Sequence, residues 1–316
     1  MGASNPQPVT YDVLLDDGYF CDLIFTGLPD MPRLGAELFS TGFEMVPGAN
    51  FYYATAFKRL GLRAGWPCNF GNDIFSQFVL AAARGEELDD SLFTIHDYPI
   101  RNLTVSMSFP HERAFVTFTD KPTPQPCPPL IRRYRPRCLL RAGLQHGPVH
   151  LEQVAAAREV GALVFMECQS HQTSLKEPQV VEALQAVDIF APNAQEALDL
   201  TGAATVEAAL AQLAELTPLV VVKLGSEGAI ACQGTQIVTA PALKVNVFDT
   251  TGAGDCFNAG FLYGYLRGYG LEDCLKCGNI CGGWSTTAHG ANAVPTADQL
   301  EAHLADLPGG TGSRAS

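Results

Sequence analysis

The sequence predicts an α/β fold: a doubly wound, mainly parallel sheet flanked by helices, with a small β-sheet appendage. Three observations predict it. From about residue 138 onward, short apolar runs without alternation are separated by helix-like segments, the pattern of strands buried on both faces. Residues 102–119 instead alternate polar and apolar about a central turn, as in a hairpin with one solvated face. The composition, 47% hydrophobic and 17% charged over 316 residues, is that of a folded chain with ample apolar surface for one main core.

In chain order, residues 13–15 and 21–25 read as strands and 50–60 as a helix ending at Gly61. Residues 102–109 and 113–119 form the hairpin around Pro110, His111 and Glu112. With the Gly- and Pro-punctuated stretch before residue 46, it gives an appendage built from two segments, about 20–46 and 92–119. Runs at 138–140, 163–166, 189–190 and 219–222 are the buried strands, and 151–160 is a helix between two of them. Residues 245–248 read as a further strand end, 251–254 as a turn and 255–266 as a helix. The folded body spans 11–307. Residues 1–10 and 308–316 are small, polar and aperiodic, and read as loose ends.

Charge narrows the partners. With 20 Lys+Arg against 33 Asp+Glu, the net charge of −13 repels phosphate polymers and anionic lipid, so neither nucleic acid nor a membrane surface is expected. No run of 18 apolar residues occurs. Ten scattered cysteines and a polar N-terminus are expected of reduced thiols in a cytoplasmic protein. Cys274, Cys277 and Cys281 have a C-x-x-C spacing, but i, i+3, i+7 in an apolar helical pattern reads as one packed face.

The chemistry concentrates in Asp249-Thr-Thr-Gly-Ala-Gly-Asp255. Glycines at a helix start permit φ > 0 and close backbone approach, and the first N–H groups of the helix, beside its positive dipole end, suit an anion. Asp255 lies in the first turn, where a carboxylate can take a proton from an attacking hydroxyl. The same residue could instead be the helix cap. Neither G-x-x-x-x-G-K-[ST] nor a dinucleotide glycine triplet occurs at this position. His171 and His289 lack an H-E-x-x-H partner and read as ordinary polar residues.

The run from Asp249 to Gly260 closely resembles the C-terminal signature of the ribokinase-like (PfkB) carbohydrate kinase family. The resemblance implies that Asp255 is the catalytic base and that the amides of Gly252, Ala253, Gly254 and Asp255 form an anion hole. Ala191-Pro-Asn193-Ala-Gln-Glu196 resembles the family's Asn-x-x-Glu motif, implying that Asn193 and Glu196 position Mg²⁺, through water, and phosphate. On spacing alone the pair is equally a capping box. The segment 220–229 resembles the strand and glycine turn beneath the nucleotide, implying Lys223, Gly225, Ser226 and Gly228 as contacts; it also reads as a plain hairpin turn. Gly278-Asn279 and 285–294 resemble the helix and loop around adenine and a monovalent cation such as K⁺. That implies Asn279 and Thr251 at the nucleotide and Asp249 at the cation.

Toward the N-terminus the resemblance is looser. Asp22 stands where an aspartate grips sugar hydroxyls, and Gly48, Asn50 and Tyr52 fall in the segment resembling Gly-Gly-x-x-x-Asn. Pro47 replaces the first glycine and Tyr52 the asparagine, so a sugar contact is moved or an aromatic ring stacks on the substrate, unless Tyr52 is simply core. Asp73 lies in a segment resembling Gly-x-Asp-x-x-Gly. The implied function is transfer of the γ-phosphoryl of Mg·ATP to a hydroxyl of a sugar or sugar-like molecule. The appendage would serve as a lid and as a homodimer contact. Phe51, Tyr52 and Tyr53 leave a nucleoside kinase as the alternative, and a non-catalytic binding protein as a third reading.

Overall fold

The computed structural model describes residues 11–16, 18–110, 113–120, 127–169, 173–288 and 293–307. The expected loose ends at 1–10 and 308–316 lie outside these, as do His111, Glu112, His171 and His289. In order the elements are β1 (Val13–Leu14), β2 (Phe20–Thr26), β3 (Gly42–Gly48), α1 (Asn50–Arg59), β4 (Ala64–Gly65), β5 (Cys68–Phe70), α2 (Ile74–Gly85), β6 (Phe93–Ile95), β7 (Asn102–Ser108), β8 (Arg113–Thr119) and α3 (Cys127–Tyr134). There follow β9 (Cys138–Arg141), α4 (Pro148–Val160), β10 (Leu163–Glu167), α5 (Pro178–Ala186), β11 (Ile189–Ala191), α6 (Ala194–Thr201), α7 (Val206–Ala214) and β12 (Leu219–Lys223). The chain closes with β13 (Ala229–Gln233), β14 (Gln236–Ala240), α8 (Ala253–Leu266), α9 (Leu271–Ser285) and α10 (Ala297–Asp306). The described residues form two compact units, one from those within 1–16, 56–65 and 126–316 and the other from those within 17–55 and 66–125.

The first unit holds an eight-stranded sheet in the order β14-β13-β12-β11-β10-β9-β1-β4. Strands β4 to β12 along this order are parallel, and β13 and β14 extend it antiparallel. The chain lays β4 on one side of β1 and β9 on the other, so the winding direction reverses at β1. This is the doubly wound α/β class that the non-alternating runs predict. Leu139, Leu140, Val164, Phe165, Ile189, Phe190, Val220 and Val221 are all buried, as strands covered on both faces must be. Their carboxyl ends therefore share one edge of the sheet, where ligands of such folds bind.

The second unit holds a four-stranded sheet, β3-β2-β7-β8, in which β2 and β7 run parallel and the outer pairs antiparallel. Registers put Cys21, Leu23 and Phe25 on one face with Pro47, Met45 and Phe43 of β3, Leu103, Val105 and Met107 of β7, and Phe118, Val116 and Ala114 of β8. That face is apolar throughout. The other carries Asp22, Glu44, Thr104, Ser106 and Thr117 among its residues. Residues 93–95, inside the expected second segment, pair instead with β5 in a separate two-stranded sheet.

Two expectations near the key motif need correction. Residues 245–248 form no strand: Val247 and Phe248 are each 63% exposed and so bury no strand face. The chain is held there by the Phe248 and Asp249 N–H groups donating to Thr286 O at the end of α9 (2.7 and 3.1 Å). The helix also starts earlier than the spacing suggests, at Ala253, so Gly254 belongs to its first turn.

Candidate active site

The first turn of α8 is shaped by Gly252, its N-cap, which takes the left-handed conformation (φ 74°) that a side chain disfavours. The Ala253 N–H donates to Thr250 O at 3.2 Å, and Cys256 N–H to Gly252 O at 2.9 Å, closing the helix. Asp255 is thus the third helical residue and not the cap. The residues 251–255 are all half-buried. Asp249 braces the turn: its Oδ1 accepts from the Thr251 N–H (3.0 Å) and from Thr251 Oγ1 (2.8 Å).

Against this turn stand residues from the carboxyl ends of β10, β11 and β12. Lys223, the last residue of β12, places Nζ 2.7 Å from Oε1 of Glu167, the last residue of β10. Both side chains are nearly buried, 11% and 6% exposed. Asn258 of α8 donates Nδ2–H to the same oxygen (3.1 Å), and Gln169 Nε2 donates to Glu167 Oε2 (2.9 Å). A Cβ at Gly254 would lie 3.5 Å from Lys223 Nζ and 3.7 Å from Glu167 Oε1. Burial pulls the Lys223 ammonium toward neutrality, but the charges of Glu167, Glu196 and Asp255 outweigh it and hold its pKa above the usual lysine value. It is a cation at neutral pH.

Asn193 and Glu196 make the capping box that their spacing allows. Asn193 Oδ1 accepts from Glu196 N–H, and Glu196 Oε2 from Asn193 N–H, both at 2.8 Å. Asn193 also bridges in parallel to Lys223, whose N–H donates to Pro192 O at 3.0 Å. The cap thus fixes Glu196 beside the end of β12, within electrostatic reach of Lys223. The stretch Gly225–Glu227 is a single 3₁₀ turn, exposed at Gly225 and Ser226, that leads β12 into the antiparallel β13. Gly228 has φ 102°, and a Cβ there would lie 2.6 Å from Ala242 N, so only glycine fits. Asn279 is buried, and its Nδ2 donates to Ala240 O and Pro241 O, both at 3.0 Å, tying α9 to the end of β14.

The residues expected at the substrate are in the second unit. Gly48 is buried, and a Cβ on it would press on the Asp22 carboxylate, 2.9 Å from its Cγ. The missing side chain makes room for that carboxylate. Asn50 is buried with Nδ2 donating to Gly18 O at 3.4 Å, an oxygen that also accepts from Trp66 Nε1 at 3.1 Å. Tyr52 is 2% exposed and meets Phe51 edge-on, with ring centroids 6.4 Å apart. Phe51 and Tyr53 are buried too. These rings are core, which removes the stacking argument for a nucleoside. Asp73 caps α2, accepting from Phe75 and Ser76 N–H through Oδ1 and from Ile100 N–H through Oδ2.

Sequence reasoning missed Glu167, Gln169 and Asn258. A signal existed for Glu167: an acid directly after the apolar run 163–166 must find a partner where the buried strand ends. Its partners, 56 and 91 residues away, carry no mark in a linear reading.

With this geometry in place, comparison with known proteins gives a consistent result. Residues 143–297 match the pfkB family of carbohydrate kinases. An uncharacterized sugar kinase of Archaeoglobus fulgidus is 41% identical over 109 residues, 34% of this chain and 43% of that protein. The aminoimidazole riboside kinase of Salmonella typhimurium is 28% identical over 279 residues, 81% of this chain and 87% of that one. Among solved structures, Arabidopsis thaliana ribokinase complexed with ribose and ATP superposes with a TM-score of 0.77 at 19% identity, covering 95% of this chain and all of that one. A Methanocaldococcus jannaschii nucleoside kinase of the ribokinase family gives 0.72 at 18%, covering 95% and 100%. The fold is ribokinase-like. Residues 143–297, just under half of the chain, carry the likeness to the pfkB carbohydrate kinases, and the named relatives are phosphotransferases that act on hydroxyl groups.

Proposed function

We propose that the protein transfers the γ-phosphoryl group of Mg·ATP to a hydroxyl of a sugar or sugar-like small molecule, with Asp255 as general base. The observation that carries this reading is the placement of Asp255 in the glycine-capped first turn of α8, with the Lys223 ammonium beside Gly254. Amides of Gly252, Gly254 and Asp255 would receive the phosphoryl oxygens. The Ala253 amide, already donating to Thr250 O, contributes less than the motif suggests. Asp255 takes the hydroxyl proton as that oxygen attacks phosphorus.

The remaining roles follow in the same reading. Mg²⁺ fits the donor set here, because Glu196 supplies hard oxygen at a position fixed by the Asn193 cap, and the ion would supply charge neutralisation on the triphosphate. Asp249, with Thr251 on its Oδ1, is the candidate carboxylate for a monovalent cation such as K⁺. Lys223, Gly225, Ser226, Gly228 and Thr251 belong to the nucleotide side; Asn279 acts there through the α9–β14 tie. Asp22, with the room left by Gly48, accepts hydroxyl hydrogen bonds, and Asn50 and Tyr52 shape that region from the core. The four-stranded sheet takes the lid role in this reading, and its apolar face, opposite that of Asp22, would pair with a second copy. A cytoplasmic location is supported by ten cysteines that are all buried thiols. Among the described residues no helix is long and apolar enough to cross a membrane.

The test is a screen of sugars and ribosides for ATP consumption, the latter because the Salmonella relative is named for a riboside. On the best substrate, Asp255→Asn should lower kcat by about 10²–10⁴. Full turnover by that variant would sink the mechanism, and a riboside outpacing every sugar would move the substrate class.

A further inference from the structure

Lys223 is an odd residue to bury. Replacing a buried ion pair by well-packed apolar side chains is often neutral or stabilising, so stability alone is a weak reason to keep one. This pair lies at the carboxyl edge of the sheet, at the end of β12, and not in the packed middle of the strands. An ammonium has three donors, and among the described residues Glu167 is its hydrogen-bond partner.

The other partner of Glu167 Oε1 ties this charge to α8. Asn258 stands three residues after Asp255, on the same side of the helix. Asn258 holds Glu167, and Glu167 holds Lys223, so the ammonium is positioned from the very helix whose first turn carries Asp255. Gly254 leaves its flank open: a Cβ there would lie 3.5 Å from Nζ. In phosphoryl transfer, charge gathers on the equatorial oxygens of the γ-phosphoryl, and a fixed cation beside them is worth most in a water-poor site.

We propose that Lys223 is the cation that meets the transferred phosphoryl group, and that Glu167, held by Asn258, is the positioning residue that places it. This rests on the phosphoryl-transfer reading. In the step, the substrate oxygen bonds to the γ-phosphorus while the bond from that phosphorus to the β–γ bridging oxygen breaks. The bond's electron pair leaves with ADP, and the hydroxyl proton goes to Asp255. Lys223 neither gives nor takes a proton; it neutralises charge.

Calorimetric titration of the intact protein with Mg·ADP and with a non-hydrolysable Mg·ATP analogue tests this without knowledge of the sugar. Lys223→Met should lose about 10–100-fold in affinity for the triphosphate, the worth of a charge-assisted hydrogen bond, and leave the diphosphate little changed. Lys223→Arg should restore part of the difference. Glu167→Gln, which releases the ammonium from its place beside Gly254, should lose part of the same triphosphate preference with diphosphate affinity little changed, a selectivity that a merely structural role would not produce. If Lys223→Met fails to fold because Glu167 is left buried without a counter-charge, the double variant Lys223→Met/Glu167→Gln removes both charges and is read the same way. A folded variant with the wild-type ratio of triphosphate to diphosphate affinity overturns the role of Lys223 and leaves the function standing. Wild-type protein that binds neither nucleotide overturns the function itself.

Discussion

Gly254 separates what the first turn of α8 needs for folding from what it needs for chemistry. Its φ is ordinary, and a Cβ would make only van der Waals contacts, 3.5 Å to Lys223 Nζ and 3.7 Å to Glu167 Oε1. Alanine is also the better helix former, by about 1 kcal/mol. Gly254→Ala should therefore keep or raise the Tm. Its methyl group would nonetheless stand where the phosphoryl oxygens are proposed to sit, and should lower kcat by about 10²–10³, the cost of a damaged anion site. A thermal melt beside a rate assay checks both halves; unchanged turnover would show that the flank of Gly254 is not the anion site. At this scale the sequence was informative where chemistry is local. Gly252 and Asp255 announce a glycine-built helix start, and Asn193 with Glu196 announce a cap. Glu167 and Asn258 stayed hidden because their meaning lies in contacts across 91 residues, and Tyr52 misled because a buried aromatic and a stacking one look alike in one dimension.

Two helices hold that first turn in place, and their seam is made of small residues. A Cβ on Gly260 of α8 would press on Cys277 O and lie 2.7 Å from Cys281 Sγ, while Gly264 faces Cys274 and Gly278 of α9 faces the Phe257 ring. The i, i+3, i+7 cysteines thus pack against α8 glycines, as their apolar spacing suggests. Burial raises the Cys274 thiol to about 12 and lifts Cys281 well above its usual value, so both stay protonated and unreactive at neutral pH. Overpacking such a seam costs about 1–3 kcal/mol, so Gly260→Ala should lower stability in urea unfolding. Gly254→Ala, six residues earlier on the same helix, should not. Equal stability of the two variants would mean that the seam is looser than drawn. Elements buried on both faces, such as β9 to β12, were legible because continuous apolar runs have few other uses. The segment 245–248 was misread because its order comes from Thr286 at the end of α9 and not from a sheet.

The whole molecule carries 13 net negative charges and, on its four-stranded sheet, one apolar face with Val116 61%, Phe43 56% and Phe118 48% exposed. Contiguous apolar surface of this kind marks an interaction site more often than it marks nothing. The charge says which forces a second copy would have to balance. Two copies repel at long range, and salt screens that repulsion over about 8–10 Å, whereas burial of Phe and Val against an opposing sheet does not weaken with salt. Self-association through this face should accordingly strengthen as ionic strength rises, the reverse of a contact made by ion pairs. Light scattering behind size exclusion should give twice the chain mass at micromolar concentration, more completely in high salt than in low. Val116→Lys, on the outer strand β8 where a charge is well tolerated, should return a folded single chain. A wild-type protein that stays a single chain at high salt would remove the pairing role of the sheet. A dimer indifferent to Val116→Lys would place the interface elsewhere.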